Sequence, residues 1–485
     1  MLIRYNLRCA PVLYLAAALA PFAFAQPTAP HSNLILLKNI AVPNWTTTGS
    51  TQANFDLFTF DGRTQILYFA DRTNKSVTVV DAATNQTIGV VPLPSGGSTN
   101  GVVVVPDLHK LVVTDGLTNV FVYDLRVPST PPDTYTVPNI TGGTDALDYD
   151  PLNRTVYVIN GNAPYYETGV DLVNRKIATQ FQLPGSPELL RFNSFDGLIY
   201  QVITDNDNQN KGAGLYVYDP IGNTITAKYL TPNCVPHGID IDPVTDVALL
   251  GCGTNQAQIA MDLRNGAIIQ RFPDVTGTDL LQFNRSTGRF YTASSSNVST
   301  TTGCPADSTG ATPVIGIFSS PGPGRAVEDG VQCAGRNSHG LGVDPVDDYL
   351  YVGSRQYPVN AASASTGSPG VLVFYDPTAR RNVGLPSIVD LSSADGATFG
   401  TIQFSLDHGI LRAQGTVSSP TATTVLVSVP TTFGNEVVPC SANPMTGTSC
   451  SGILSGNPVI GATAIIAVNG APAATGIIYR DSLAR

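Results

Sequence analysis

Seven polar residues recur along the chain, Asp56, Asn100, Asp145, Glu188, His237, Asp279 and His339, at intervals of 44, 45, 43, 49, 42 and 60 residues. Four are carboxylates and two are imidazoles, so a fold that gathers them concentrates negative charge in a confined space. Such a cluster must bind a cation, shift its pKa values upward or be well hydrated. Its oxygens suit Ca2+ or Mg2+, whereas His237, Asp279 and His339 offer two nitrogens and one oxygen to Zn2+ or Mn2+. A metal-bound hydroxide could open a lactone or ester, with a spare carboxylate carrying the proton. The other chemistry open to these residues uses His237 or His339 as a base on the α-proton of a uronate-like substrate. Arg336 and Arg355 would then hold the substrate carboxylate, and Tyr165 or Tyr166 would donate a proton. A bland role also fits: polar strand starts cap neighbouring backbone and hold water, with Gly238 and Gly340 as tight corners.

The elements that must position these residues are repeats. Each polar residue opens a strand, a short turn and a second strand, as in HGIDIDPVTDVALLGC from His237, NGVVVVPDLHKLVVTDG from Asn100 and HGLGVDPVDDYLYVGS from His339. A third strand follows (SVTVVD, NVFVYD, GLYVYDP, VLVFYDP) and usually a fourth (TIGVVPL, TITAKYL). The spacing is that of a four-stranded propeller blade, and the near-continuous apolar inner strands suit sheets covered on both faces. The expected fold is therefore all-β, a seven-bladed β-propeller. Ring closure falls to the strand at 33–42, with Ser387 to Leu391 as a competing outer strand.

The LYVYDP, VYVING and YLYVGS strands with their xGxxxDP inner strands resemble the YVTN and lactonase-like group of seven-bladed propellers, over roughly residues 33 to 392. The resemblance implies the fold; this superfold hosts lactonases, lyases, oxidoreductases and binding proteins. Residues 394–485 break the repeat, and their strands TTVLVSV and ATAIIAVNG resemble an immunoglobulin-like sandwich, with an eighth blade as the alternative. The expected division is a signal peptide at 1–25, a propeller at 26–393 and a small β-domain at 394–485.

Turns between first and second strands are short (DG, PVTD, PVDD), whereas the opposite connections include GNAPYYETG, TDNDNQNKGAG and SRQYPVNAASASTGSPG. Long loops on one side of a rigid scaffold are where binding groups gather. Cys234 with Cys252, and Cys304 with Cys333, meet on that side in this register, and Cys440 pairs with Cys450.

Arg4 and Arg8, an apolar run and Ala23-Phe24-Ala25 before Gln26 match a secretory signal, predicting an exported protein, periplasmic in a Gram-negative host. Its loss moves the formal charge from -10 to -12, and no Lys/Arg cluster interrupts the chain, which disfavours nucleic acid and anionic membranes. No later segment reads as a membrane span. Seven Asn-x-Ser/Thr sequons, at Asn44, Asn74, Asn85, Asn139, Asn153, Asn284 and Asn297, would accept glycans in a eukaryotic host. No nucleotide-binding or haem motif and no Ser-centred elbow is present. A monomer is expected, acting as a hydrolase or lyase at the channel mouth, or as a non-catalytic binder of glycan or protein.

Overall fold

The computed structural model describes residues 32–377, apart from 63, 194–195, 206–211, 244, 286, 345–347 and 360–366, together with the strands of 386–480. The expected signal at 1–25 lies outside the described residues.

Seven four-stranded antiparallel sheets make a seven-bladed propeller. Blade 1 has its inner strand at Phe55–Asp61, then Ile66–Asp71, Ser76–Asp81 and an outer Gln86–Pro92. The inner strands of blades 2 to 6 are Val102–Val105, Thr144–Asp150, Ser186–Asn193, Pro236–Asp242 and Leu280–Asn284. In blade 7 the chain supplies Leu341–Asp344, Tyr349–Tyr357 and Ser368–Tyr375, and the outer strand comes from the N-terminal side, Ile35–Ile40. Ile35 pairs with Tyr375 and Ile40 with Val371, so the first and last strands of the ring are zipped together. The competing outer strand is engaged elsewhere, since Pro386–Val389 pairs with Ile402–Asp407 and Ala471–Arg480.

Burial explains the strand composition. Second strands such as Thr155–Asn160, Val247–Cys252 and Arg289–Ser294 are buried throughout, whereas the outer strand Thr224–Leu230 alternates exposed and half-buried. Blades therefore stack face to face through Val, Leu, Ile and aromatic side chains, with Tyr218, Tyr291, Tyr351 and Phe55 among the largest fully buried groups.

Aspartates and asparagines before several of the first turns close them. Asp150 accepts the N–H groups of Leu152 and Asn153 at 2.9 and 3.2 Å, and Thr245 donates its hydroxyl to Asp242 at 2.8 Å. These carboxylates belong to turns, a local role that the DP repeats announce.

The C-terminal strands, from Pro386–Val389 to Ala471–Arg480, form one nine-stranded antiparallel sheet. Ile410–Ser418 also pairs with Thr448–Leu454, which brings the strand order back on itself. The pairing runs from Leu411 with Leu454 to Val417 with Thr448. No helix among the described residues is long and apolar enough to cross a membrane.

Candidate functional site at the channel mouth

A small irregularity aims four of the seven repeat-start residues. In blades 1, 3, 4 and 5 the first two strands shift register by one residue at the ring position: Phe55 pairs with Asp71, yet Phe58 pairs with Phe69. A β-bulge of this kind re-aims one side chain and bends the strand. It falls on Asp56, Asp145, Glu188 and His237 with their immediate neighbours.

Gly238 and Gly340 owe their place to blade contact. A Cβ on Gly238 would lie 2.5 Å from the Asp279 carbonyl oxygen, and one on Gly340 would lie 2.5 Å from that of Asp56. The His-Gly pairs thus let one blade's ring residue pack directly against the next.

The ring is assembled around a cation that sequence reasoning missed. Arg72, at the end of the second strand of blade 1, bonds through Nη2 to Asp56 and through Nε to Asn100 Oδ1 at 3.0 Å. Burial raises Asp56 well above the usual carboxylate range, against the pull of Arg72. Burial likewise pushes Asp145 up to about 6, and raises Glu188 with added repulsion from Asp279, Asp145 and Asp56. The four carboxyl groups feel one another, and the predicted charge crowding is relieved by Arg72 and by proton retention. One signal could have found Arg72: it stands 16 residues after Asp56, where the other repeats have Gly116, Gly161, Thr204, Gly253, Ser295 and Arg355.

The two histidines separate in role. His339 is buried, stacks on Phe55 with ring centroids 4.8 Å apart, and places Nε2 2.6 Å from the Phe55 carbonyl and Nδ1 3.2 Å from that of Asn337. Burial lowers its pKa, and a neutral ring donates from one nitrogen only; with both nitrogens facing backbone carbonyls, the ring links blade 7 to blade 1. His237 is half-buried, with Nδ1 3.8 Å from Glu188 Oε1, and about a third of each side chain is exposed (33% and 37%).

Among the described residues no three His, Cys, Asp or Glu side chains group so as to hold an ion. The physical reason is local: Arg72 occupies Asp56, and backbone carbonyls occupy both nitrogens of His339.

Three residues further along the inner strands lies a second set. Thr59, Asp148, Asp240 and Gln282 accept the backbone N–H groups of Val104, Phe192, Phe283 and Val343 in the following blade, at 2.7 to 3.2 Å. Arg191 reaches Asp240 at 3.2 Å, and burial pushes Asp148 up to about 6. These groups lace the open inner edges together, a structural role.

Of the remaining candidates, Tyr165 packs against the hydrophobic core, and Tyr166 pairs with Gln182 of the outer strand of blade 3, away from the inner edge. Arg336 and Arg355 lie together on blade 7, with the Arg355 N–H donating to the Arg336 carbonyl at 2.9 Å.

Cys234–Cys252 and Cys304–Cys333 are disulfides, with Cα atoms 5.1 and 5.3 Å apart. Cys440 stands opposite Cys450 in strand register, their side chains lying outside the described residues. Among the sequons, Asn284 is buried, and Asn297 is fully buried with its Oδ1 accepting the Thr276 N–H at 2.9 Å, which removes both as glycan acceptors in the folded chain.

No protein-family model matches the chain, and no curated protein matches it. Solved structures do. A chain of the mitotic checkpoint complex is 14% identical with a TM-score of 0.50, covering 77% of this chain and all of its own. A chain of hydrazine synthase from Kuenenia stuttgartiensis is 12% identical with a TM-score of 0.54, covering 70% of this chain and all of its own. At such identities the likeness is one of fold alone.

Proposed function

We propose that the chain is an exported propeller protein whose channel mouth is a metal-free acid–base centre, of lyase or hydrolase type, acting on a small sugar-derived substrate. The observation that carries this reading is the pair Glu188 and His237, 3.8 Å apart and each about a third exposed. Burial and the neighbouring carboxylates raise the Glu188 pKa, which favours its protonated, donating form, and the imidazole beside it is the acceptor. In an elimination the α C–H bond breaks and its proton passes to His237. The electron pair forms the new C=C bond, and the departing oxygen takes the Glu188 proton. The signal-like residues 1–25 and the two disulfides support an oxidising destination. The repeat-level likeness to YVTN and lactonase-like propellers places lactones among the substrates to try.

A second reading, a binding surface without catalysis, is favoured by one observation: His339 and Arg72 are engaged in holding the blades. Assays on lactones and uronate oligomers, with and without EDTA, separate the two. Turnover should persist in EDTA and fall roughly 100-fold in Glu188→Gln and in His237→Ala. Turnover that requires an added divalent cation, or that survives both substitutions, would falsify the acid–base reading. Binding without turnover establishes the second one.

A further inference from the structure

Arg72, Arg126, Arg175, Arg191, Arg264 and Arg289 each ion-pair with an aspartate, in a chain with 36 acidic and 26 basic residues. Arg336 and Arg355 are different. Both are half-buried, and among the described residues no carboxylate lies within 4.0 Å of either. The backbone fixes them side by side: the Arg336 N–H donates to the Gln356 carbonyl at 2.9 Å and the Arg355 N–H to the Arg336 carbonyl at 2.9 Å. Among the described residues Arg355 donates only Nε, to the Ala53 carbonyl at 3.0 Å. Burial, with repulsion from Arg336, lowers its pKa.

Two further buried donors adjoin the pair in sequence. Asn337 Nδ2 and Ser338 Oγ lack a hydrogen-bond partner, and Ser338 is 0% exposed. They lead directly into His339 of the mouth ring. Like charges held together without a counter-ion are unfavourable unless an anion completes them. Two guanidinium groups match a planar carboxylate better than they match a neutral hydroxyl.

The geometry points to an oxyanion subsite on blade 7, formed by Arg336 and Arg355, that takes the carboxylate of the ligand. This rests on the mouth-site reading and deepens it: the substrate class is a small sugar acid. A carboxylate held there also stabilises negative charge beside an α-carbon that loses its proton.

The test is calorimetric titration with galacturonate, galactose and inorganic sulfate at one ionic strength, with thermal melting of each variant. Galacturonate should bind saturably, with galactose and sulfate at least tenfold weaker, and Arg336→Gln should weaken galacturonate at least tenfold. Arg336 makes no side-chain hydrogen bond to a described residue, so Arg336→Gln should melt at or above the wild-type temperature. A lower melting temperature marks the residue as structural support and overturns the assignment. It is also overturned by absent galacturonate binding, by galactose or sulfate binding as tightly, or by undiminished binding in Arg336→Gln. Turnover by Glu188→Gln reports on the acid–base reading and galacturonate binding by Arg336→Gln on the subsite, so failure of the one is distinguishable from failure of the other.

Discussion

Glu167 lies in the third strand of blade 3, 1% exposed, with no hydrogen-bond partner for either carboxylate oxygen. Burial pushes its pKa up to about 8, so the folded chain keeps it neutral. The unfolded chain ionises it near 4.5. Stability from this group is therefore fully present below about pH 4.5, declines as pH rises, and is lost once pH passes about 8. At about 1.4 kcal/mol per pKa unit the loss is on the order of 4 kcal/mol. Urea unfolding at pH 5 and pH 8.5 should show this fall in the wild type and a smaller one, by most of that amount, in Glu167→Gln. Asp145 and Asp148, also pushed up to about 6, act in the same direction, and the difference between proteins cancels them. Parallel pH dependence in both proteins would mean that Glu167 is ionised in the fold. The repeat made the ring residues legible, but Arg72 recurs only as Arg355 of blade 7, and Glu167 lies outside the ring positions. A partner present in one or two blades leaves no periodic trace.

At the scale of the strand, the bulge and the missing Cβ decide where chemistry can sit. The repeat register was readable because each blade repeats one turn length; the bulge was not, because an extra residue in a strand has no side-chain signature of its own. Gly238 was readable as a tight corner, yet its reason is the neighbouring blade. Gly238→Ala would set a methyl group 2.5 Å from the Asp279 carbonyl, and backbone can yield there only if blades 5 and 6 part. The expected cost is about 1–3 kcal/mol by thermal or urea unfolding, with weakened ligand binding because His237 is the preceding residue. Gly89, in the outer strand of blade 1, has nothing within 4 Å of such a methyl. Gly89→Ala should be neutral or stabilise by up to about 1 kcal/mol, through the unfolded chain. Equal effects at the two glycines would remove close blade contact as the reason for the His-Gly pair.

For the whole molecule, closure of the ring is what makes seven separate sheets one site, since the mouth residues come from every blade. The closing strand Ile35–Ile40 was visible as an apolar stretch, and pairing of the two chain ends made it the outer strand of blade 7, with Ser387 to Leu391 competing for the place. The fate of residues 386–480 was not visible, because no repeat there fixes a register and short alternating strands fit several sheets equally. The closing strand acts through backbone pairing and few side chains: Ile35, Leu36 and Leu37 are 50%, 37% and 47% exposed, whereas Leu34 and Ile40 are buried. Leu37→Thr should therefore change stability by less than about 0.5 kcal/mol. Deletion through Ile40 removes two buried side chains, worth roughly 1.5–3 kcal/mol each, and bares the edge of Ser368–Tyr375 to other chains. The truncated protein should melt earlier and aggregate, and a peptide spanning 33–42 should restore part of the melting temperature in proportion to its concentration. Blade 7 also carries His339 and the arginine pair, so the same peptide should restore galacturonate binding. Recovery of stability without recovery of binding would place the subsite outside the influence of ring closure.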